Sequence, residues 1–379
     1  MIACSKNIAR GGTTIMICYT HPMFYKHNDT YTVESVTSGH PDKICDQISD
    51  AILDAYLEKD PNSRVAIETF GGHGLLVIGG EVTSRGKIDY VKIARKVYRG
   101  IGYKDKLAVN ARVVAQSPDI AAGVDSGGAG DQGIMYGFAT NETPELLPKG
   151  VVLVQKLAKK LEDARKSGKI KWLRPDGKTQ ATFVKGKLRT ILVSAQHAEH
   201  IKSEEMRNEI IQKVINPLLS AEEKKSVQIL VNPTGKFIQG GFAADTGLTG
   251  RKIMVDTYGG IIPHGGGCFS GKDATKVDRS GAYMARFAAK NMVHAGYGKD
   301  VLVSVAYAIG MAEPLMVEAI NEKGDDLSEI VKANFDFRPR AIIKRLKLTQ
   351  PIFKQTSTYG HFGKKGLPWE KLINIKPVK

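Results

Sequence analysis

At 379 residues, with 42% hydrophobic and 25% charged content, the chain has the composition of a globular protein of two or three domains, and no apolar run approaches the ~20 residues that cross a bilayer. Its four cysteines (Cys4, Cys18, Cys45, Cys268) lack CxxC spacing and are too sparse for a disulfide framework, which points to a reducing, cytoplasmic setting. The net charge of +16 leaves nucleic acid or a small polyanion such as ATP as partners, but basic stretches such as residues 156–171 hold few aromatics and alternate with apolar positions, so no nucleic-acid partner is expected.

Residues 1–24 carry several basic groups and no acid, with Met16 and Met23 as alternative starts, so a leader or disordered extension is expected there rather than a good transit peptide. From Thr30 strand and helix patterns alternate. Ile44, Ile48, Ala51, Ile52 and Ala55 recur at helical spacing, 65–70 and 75–82 read as strands broken by Gly71-Gly72-His73-Gly74, and Tyr90, Ile93, Ala94, Val97 and Ile101 mark a second amphipathic helix. Met206, Ile210, Ile211, Val214 and Leu218 mark a third. Glycine and proline clusters near 117–133 and 232–235 are the natural boundaries, giving an N-terminal domain at 25–127, a central domain at 128–231 and a C-terminal domain at 232–379. Three α/β units are expected, although no residue-level repeat relates them.

Ser38-Gly39-His40-Pro41-Asp42-Lys43 opens the first helix. Pro41 fits the N1 position, which places His40 at the cap and Asp42 in the first turn, where free N–H groups favour anions. Asp42 also reads simply as a dipole partner, and Asp278, just before the helical pattern of Tyr283, Met284, Phe287 and Ala288, as an N-cap. Gly128-Ala129-Gly130-Asp131-Gln132-Gly133 reads as a loop whose backbone approaches a ligand, or as a tight bend between domains. Gly266 and Gly271-Lys272 satisfy most of a P-loop, but Asp273 stands where Ser or Thr would hold magnesium, and no apolar strand precedes the loop. The segments around Asp176-Gly177-Lys178, Lys236-Phe237 and Arg251-Lys252 read individually as turns with cations attached. Together with Lys272 and Lys276 they supply cations on glycine-rich loops, with Asp42 and Asp278 as magnesium candidates.

GHPDK at 39–43, GAGDQG at 128–133, WLRPDGKTQ at 172–180, NPTGKF at 232–237, GLTGRKIMVDTYGG at 247–260, GGGCFSGKDATKVDRS at 265–280 and YGHFG at 359–363 carry a resemblance to the S-adenosylmethionine synthetase family, in the family's order and over nearly everything from residue 30 onward. The resemblance implies an α/β (α+β) fold of three similar intertwined domains. It also implies a cytoplasmic methionine adenosyltransferase that joins the adenosyl group of ATP to the sulfur of L-methionine and then hydrolyses the tripolyphosphate to phosphate and diphosphate. The active site is expected between two subunits of a homodimer, commonly paired into a tetramer.

For the residues, the resemblance implies that His40, Lys178, Arg251 and Lys272 act on the departing triphosphate. Asp176, Gly177, Lys236, Phe237, Asp245, Lys252 and Cys268 would contact ATP, and Glu81, Gln116, Asp131, Asp245 and Lys276 methionine. Asp42 and Asp278 would hold two Mg²⁺ ions, and Glu68 K⁺. Two departures stand out. The gating segment at 117–127 is shorter than in many bacterial relatives, and Cys268 replaces a frequent alanine, which suggests sensitivity to thiol reagents. A P-loop kinase releasing ADP and a non-catalytic relative remain as competing readings.

Overall fold

The computed structural model describes residues 30–116 and 127–377, so the leader at 1–24 and most of the gating segment lie outside the described residues. Eleven strands are described: β1 (Thr30–Val36), β2 (Arg64–Gly72), β3 (Leu75–Thr83), β4 (Ala108–Val114), β5 (Gly133–Thr140), β6 (Leu173–Val184), β7 (Lys187–His197), β8 (Gln228–Val231), β9 (Gly247–Leu248), β10 (Asp300–Tyr307) and β11 (Met316–Asn321). They form three sheets, ordered β1-β6-β7-β8, β11-β10-β5 and β4-β3-β2-β9.

Each sheet borrows a strand from a distant part of the chain. β1 pairs antiparallel with β6 in register Thr30↔Val184, β5 pairs with β10, and β9 pairs with β2 at Phe70↔Leu248. The domains are therefore intertwined. None of the three sheets is complete until chain segments more than 100 residues apart have met, a long-range pairing that sequence periodicity does not encode.

The local patterns explain the elements. β2 and β3 alternate buried Val65, Ile67, Leu76 and Ile78 with outward residues and are joined across His73-Gly74. Helix α1 (Pro41–Leu57) starts where Pro41 sits at N1 and the Nδ1 of His40 accepts the Asp42 N–H at 3.2 Å; α2 (Tyr90–Ile101) is capped by Asp89. Helix α3 (Lys149–Lys166) packs on β1 and β6, α1 on β2, and α5 (Val277–His294) on β5 and β10, while α4 (Ser203–Ile210) follows β7. The pattern 206–218 is not one α-helix: it widens to a π turn at Ile211–Ile215 and tightens to 3₁₀ at Asn216–Leu218, where Pro217 ends it.

One contiguous buried cluster runs through all three units, from Ile44 and Ile48 through Phe138 and Phe183 to Met292 and Val303. The C-terminal segment is fastened to it. Trp369 stacks on Tyr283 at 3.8 Å, and the buried Glu370 accepts from Arg286 (3.0 and 3.1 Å), Lys290 (2.6 Å) and the Gly363 N–H (2.8 Å). The outer face of the β4-β3-β2 sheet is different: Phe70, Leu75, Val77 and Val114 stand exposed there, Val114 by 58%. Removing one partner of a buried charge network costs about 3–5 kcal/mol because the other charges are left unpaired. Urea unfolding of Glu370→Ala is expected to show a loss of that size, and a loss below about 1 kcal/mol would mean that Glu370 is not the fastening point.

Candidate active site

The first group of site residues gathers at the start of α1. Asp42 is buried; its Oδ1 accepts the Leu248 N–H at 3.0 Å, its Oδ2 lies 2.7 Å from Lys252 Nζ, and Arg251 Nε is 3.6 Å from Oδ1. Burial alone would raise the Asp42 carboxyl, but the Lys252 ammonium and the Leu248 N–H hold it below its usual range. His40, also buried, is pushed down to about 3, by burial first and then by the Lys252 charge, with Asp42 opposing. It is therefore a neutral imidazole at pH 7. Because Nδ1 accepts the Asp42 N–H, its own proton is on Nε2, which is left as a donor.

Asp176, Lys178 and Asp245 belong to the same group, since the charges of Lys178 and Asp245 act on both His40 and Asp176. Asp176 is buried at the start of β6, where Oδ2 accepts the Gly241 N–H at 2.8 Å and Oδ1 has no partner. Burial pushes its carboxyl up to about 6 against the Gly241 and Gly177 N–H groups. Gly177 serves through its backbone, its carbonyl accepting the Thr37 N–H at 2.9 Å. Lys178, Arg251 and Asp245 are exposed, so two cations of this group face solvent while the acids Asp42 and Asp176 are rooted.

A second group stands further along the edge of β2 that β9 joins. Lys272 Nζ lies 2.6 Å from Asp278 Oδ2, and Glu68 acts on Lys272 through its charge. Lys272 bridges Ala66 of β2, and Ala66 pairs across the sheet with Glu81 of β3. Glu81 Oε1 accepts from Gln116 Nε2 at 3.2 Å, leaving the buried Gln116 Oε1 unpartnered. The two groups touch at one place: a Cβ on Gly250 would lie 2.5 Å from that of Cys268.

Several expectations change. Asp278 is not an N-cap; α5 begins at Val277 with Lys276 at the cap position, and Asp278 sits in the first turn bound to Lys272. The loop around Lys272 is no P-loop, because α5 starts five residues after the lysine and Asp273 turns inward to accept the Val65 N–H at 2.6 Å. Lys276 pairs with that same Asp273 at 2.6 Å. Gly128 does admit a close backbone, but its own chain's: a Cβ there would lie 2.1 Å from the Gly310 carbonyl oxygen. Asp131 is exposed, and its Oδ1 accepts the Gln132 N–H at 2.8 Å. The segment holding exposed Lys236 and half-buried Phe237 is clipped to the end of β7, where Phe237 and His197 exchange hydrogen bonds of 2.9 Å.

Among the described residues no three His, Cys, Asp or Glu side chains group to hold a metal ion. Asp42 and Asp278 nevertheless fit Mg²⁺ as single hard-oxygen donors, since each already draws an ammonium to its carboxylate; water and substrate oxygens would complete such a shell. Glu68 presents one carboxylate on the outer face of β2.

Three family models match in order: the N-terminal domain of S-adenosylmethionine synthetase over residues 28–121, its central domain over 126–237 and its C-terminal domain over 239–371. The chain belongs to the S-adenosylmethionine synthetase family. Similar proteins called S-adenosylmethionine synthase include those of Petrotoga mobilis (48% identical, covering 92% of this chain and 98% of that one), Thermus thermophilus (47%; 92% and 97%) and Mesoplasma florum (49%; 92% and 99%). Both groups of site residues fall inside the regions that match this synthetase family.

Cys268 lies where the two groups meet, opposite Gly250. Burial pushes its thiol up to about 11, with Lys272 opposing, so at neutral pH it is protonated, which works against the sensitivity to thiol reagents expected from its position. At pH 8 its thiolate fraction is on the order of 10⁻³, against roughly a quarter for an ordinary cysteine. Site-resolved alkylation by iodoacetamide, followed by mass spectrometry, is expected to modify Cys268 about 10²-fold more slowly than a free thiol; modification at the free-thiol rate would mean that the burial does not persist in solution.

Proposed function

We propose that the chain makes S-adenosylmethionine from ATP and L-methionine, and that its working form is a homodimer, or a pair of dimers, in the cytoplasm. Support for the reaction comes from membership in the synthetase family. The observation that carries the residue roles is the pairing of Lys252 with Asp42 and of Lys272 with Asp278 in two separate groups. Each group holds cations for phosphate and one carboxylate for Mg²⁺.

In this reading the methionine sulfur attacks C5′ of ATP. The S–C5′ bond forms as the C5′–O bond breaks, giving a sulfonium and tripolyphosphate, which water then cleaves to phosphate and diphosphate. A thioether has no proton to lose, so no general base is needed, and the barrier falls mainly through stabilisation of the leaving group. His40, neutral with its proton on Nε2, donates a hydrogen bond to the oxygen that leaves C5′. Lys178, Arg251, Lys252 and Lys272 bind the phosphates, with Arg251 suited to two oxygens at once. Two Mg²⁺ ions, when bound at Asp42 and Asp278, supply further charge for the polyphosphate, and Glu68 is the proposed K⁺ carboxylate.

Asp176 offers its unpartnered Oδ1 to the nucleoside, beside Gly177, and Phe237 stacks on adenine with Lys236 beside it. Cys268 lies against the nucleotide. Glu81 and Gln116, already hydrogen-bonded to each other, recognise methionine together with Asp131, Asp245 and Lys276, and the acids favour the sulfonium.

One feature supports a second copy of the chain as the missing half. The exposed apolar residues Phe70, Leu75, Val77 and Val114 share a sheet face with Glu68 and Glu81, so a copy docked there covers apolar surface and brings its own first group to the second. Among the described residues no helix is long and apolar enough to cross a membrane. Incubating the purified chain with ATP, methionine, Mg²⁺ and K⁺ is expected to yield S-adenosylmethionine, diphosphate and phosphate, and Lys272→Ala to lower kcat by at least about 10²-fold without unfolding. Release of ADP would support the kinase reading instead, and no turnover the non-catalytic one.

A further inference from the structure

Helix α1 places aspartates at 42, 46, 50 and 54, four residues apart and hence on one face. Each accepts a main-chain N–H from a segment far away in sequence. Asp42 holds Leu248, Asp46 Oδ1 holds Gly250 at 2.9 Å, Asp50 Oδ1 holds Gly271 at 2.9 Å, and Asp54 holds Phe353 and Lys354 at 2.9 and 2.8 Å. We propose that Asp46 and Asp50 are positioning residues for synthesis, Asp46 fixing the Thr249–Gly250 peptide that leads into Arg251 and Asp50 the peptides around Lys272, so that one helix sets where cations of both groups stand. The proposal rests on the reading of Arg251 and Lys272 as phosphate ligands.

The grip on Lys272 is two-sided. Asp50 forms a fork with Arg279, its Oδ1 and Oδ2 lying 2.8 and 2.7 Å from Nη1 and Nη2, and Arg279 Nη1 donates onward to the Lys272 carbonyl at 2.9 Å. The N–H of Gly271 and the C=O of Lys272 are thereby held by one ion pair whose side chains are 0% exposed. Asp46 is equally buried, with Oδ2 2.9 Å from Lys43 Nζ, and Lys43 is shared with Asp256. Burying such charges is expensive, and well-packed apolar residues often serve stability as well. What apolar packing does not do is fix individual peptide N–H groups, whereas charge-assisted hydrogen bonds do so strongly and directionally. Glycines at 250 and 271 leave no side chain to fix the loops otherwise.

The test separates placement from folding. Asp46→Asn keeps an oxygen acceptor for the Gly250 N–H and loses the charge, while Asp46→Ala loses both. Arg279→Lys keeps a cation beside Asp50 but withdraws the donor from the Lys272 carbonyl. A misplacement near 1 Å costs about 10² in rate, so Asp46→Ala and Arg279→Lys are expected to lower kcat about 10²-fold with KM for methionine within about threefold. Both should also bind inorganic tripolyphosphate at least about tenfold more weakly in calorimetry, whereas Asp46→Asn stays within about fivefold of the parent in kcat although it melts as early as Asp46→Ala. If folded Asp46→Ala and Arg279→Lys match the parent in kcat and tripolyphosphate affinity, or if Asp46→Asn loses as much as Asp46→Ala, the proposal fails. A parent protein that makes no S-adenosylmethionine fails the functional reading instead, and tripolyphosphate affinity then still reads whether Asp46 places the cations.

Discussion

Charge balance is the constraint to which this molecule answers. A site built for a polyphosphate must gather lysines and arginines, and in a chain of net charge +16 such a gathering repels itself unless each cation is given an acid. Lys252 has Asp42, Lys272 has Asp278, Lys276 has Asp273, and beneath them Lys43 has Asp46 and Asp256, and Arg279 has Asp50. In the proposed reaction the pairs near the surface would exchange, each ammonium passing from carboxylate to phosphate and each carboxylate from ammonium to Mg²⁺. Those in the interior would not, and they would hold the loops still while the outer pairs exchange.

The sheet architecture distributes these pairs. Because β9 joins β2, the loop holding Arg251 is stitched to the same edge of the strand that meets Lys272 at Ala66. Because β1 joins β6, the Thr37 backbone meets Gly177 beside Lys178, and α1 follows directly. Strand exchange therefore brings N-terminal, central and C-terminal segments to one helix, and leaves Glu68 and Glu81 of the second group on the sheet face that carries the exposed apolar residues. In the reading proposed above, a second copy of the chain would answer both the apolar surface and the separation of the two groups.

Much of this is visible in the amino-acid sequence, and the reasons are physical. The periods of β2, β3 and α2 follow from one buried face each, and His40-Pro41 announces a helix start because proline's missing N–H costs nothing there. The long glycine-rich motifs identify the family outright. Three things were out of reach. Sheet pairing between distant strands has no local signature. The buried Asp46 and Asp50 interrupt the apolar pattern of α1, so periodicity gives no reason to bury them, although their spacing with Asp42 and Asp54 is visible in the sequence. Gly128 reads as a ligand approach because a glycine required by Gly310 and one required by a ligand look alike in a sequence.

Complementation between two inactive variants tests the divided site most directly. Lys178→Ala damages the first group and Lys272→Ala the second. Dissociating the two proteins, mixing them and allowing them to reassociate is expected to regenerate up to about a quarter of parental activity, because half of random dimers are mixed and each mixed dimer holds one intact site of two. If the site is instead contained within one chain, the mixture stays as inactive as either variant alone, and that result would contradict the account.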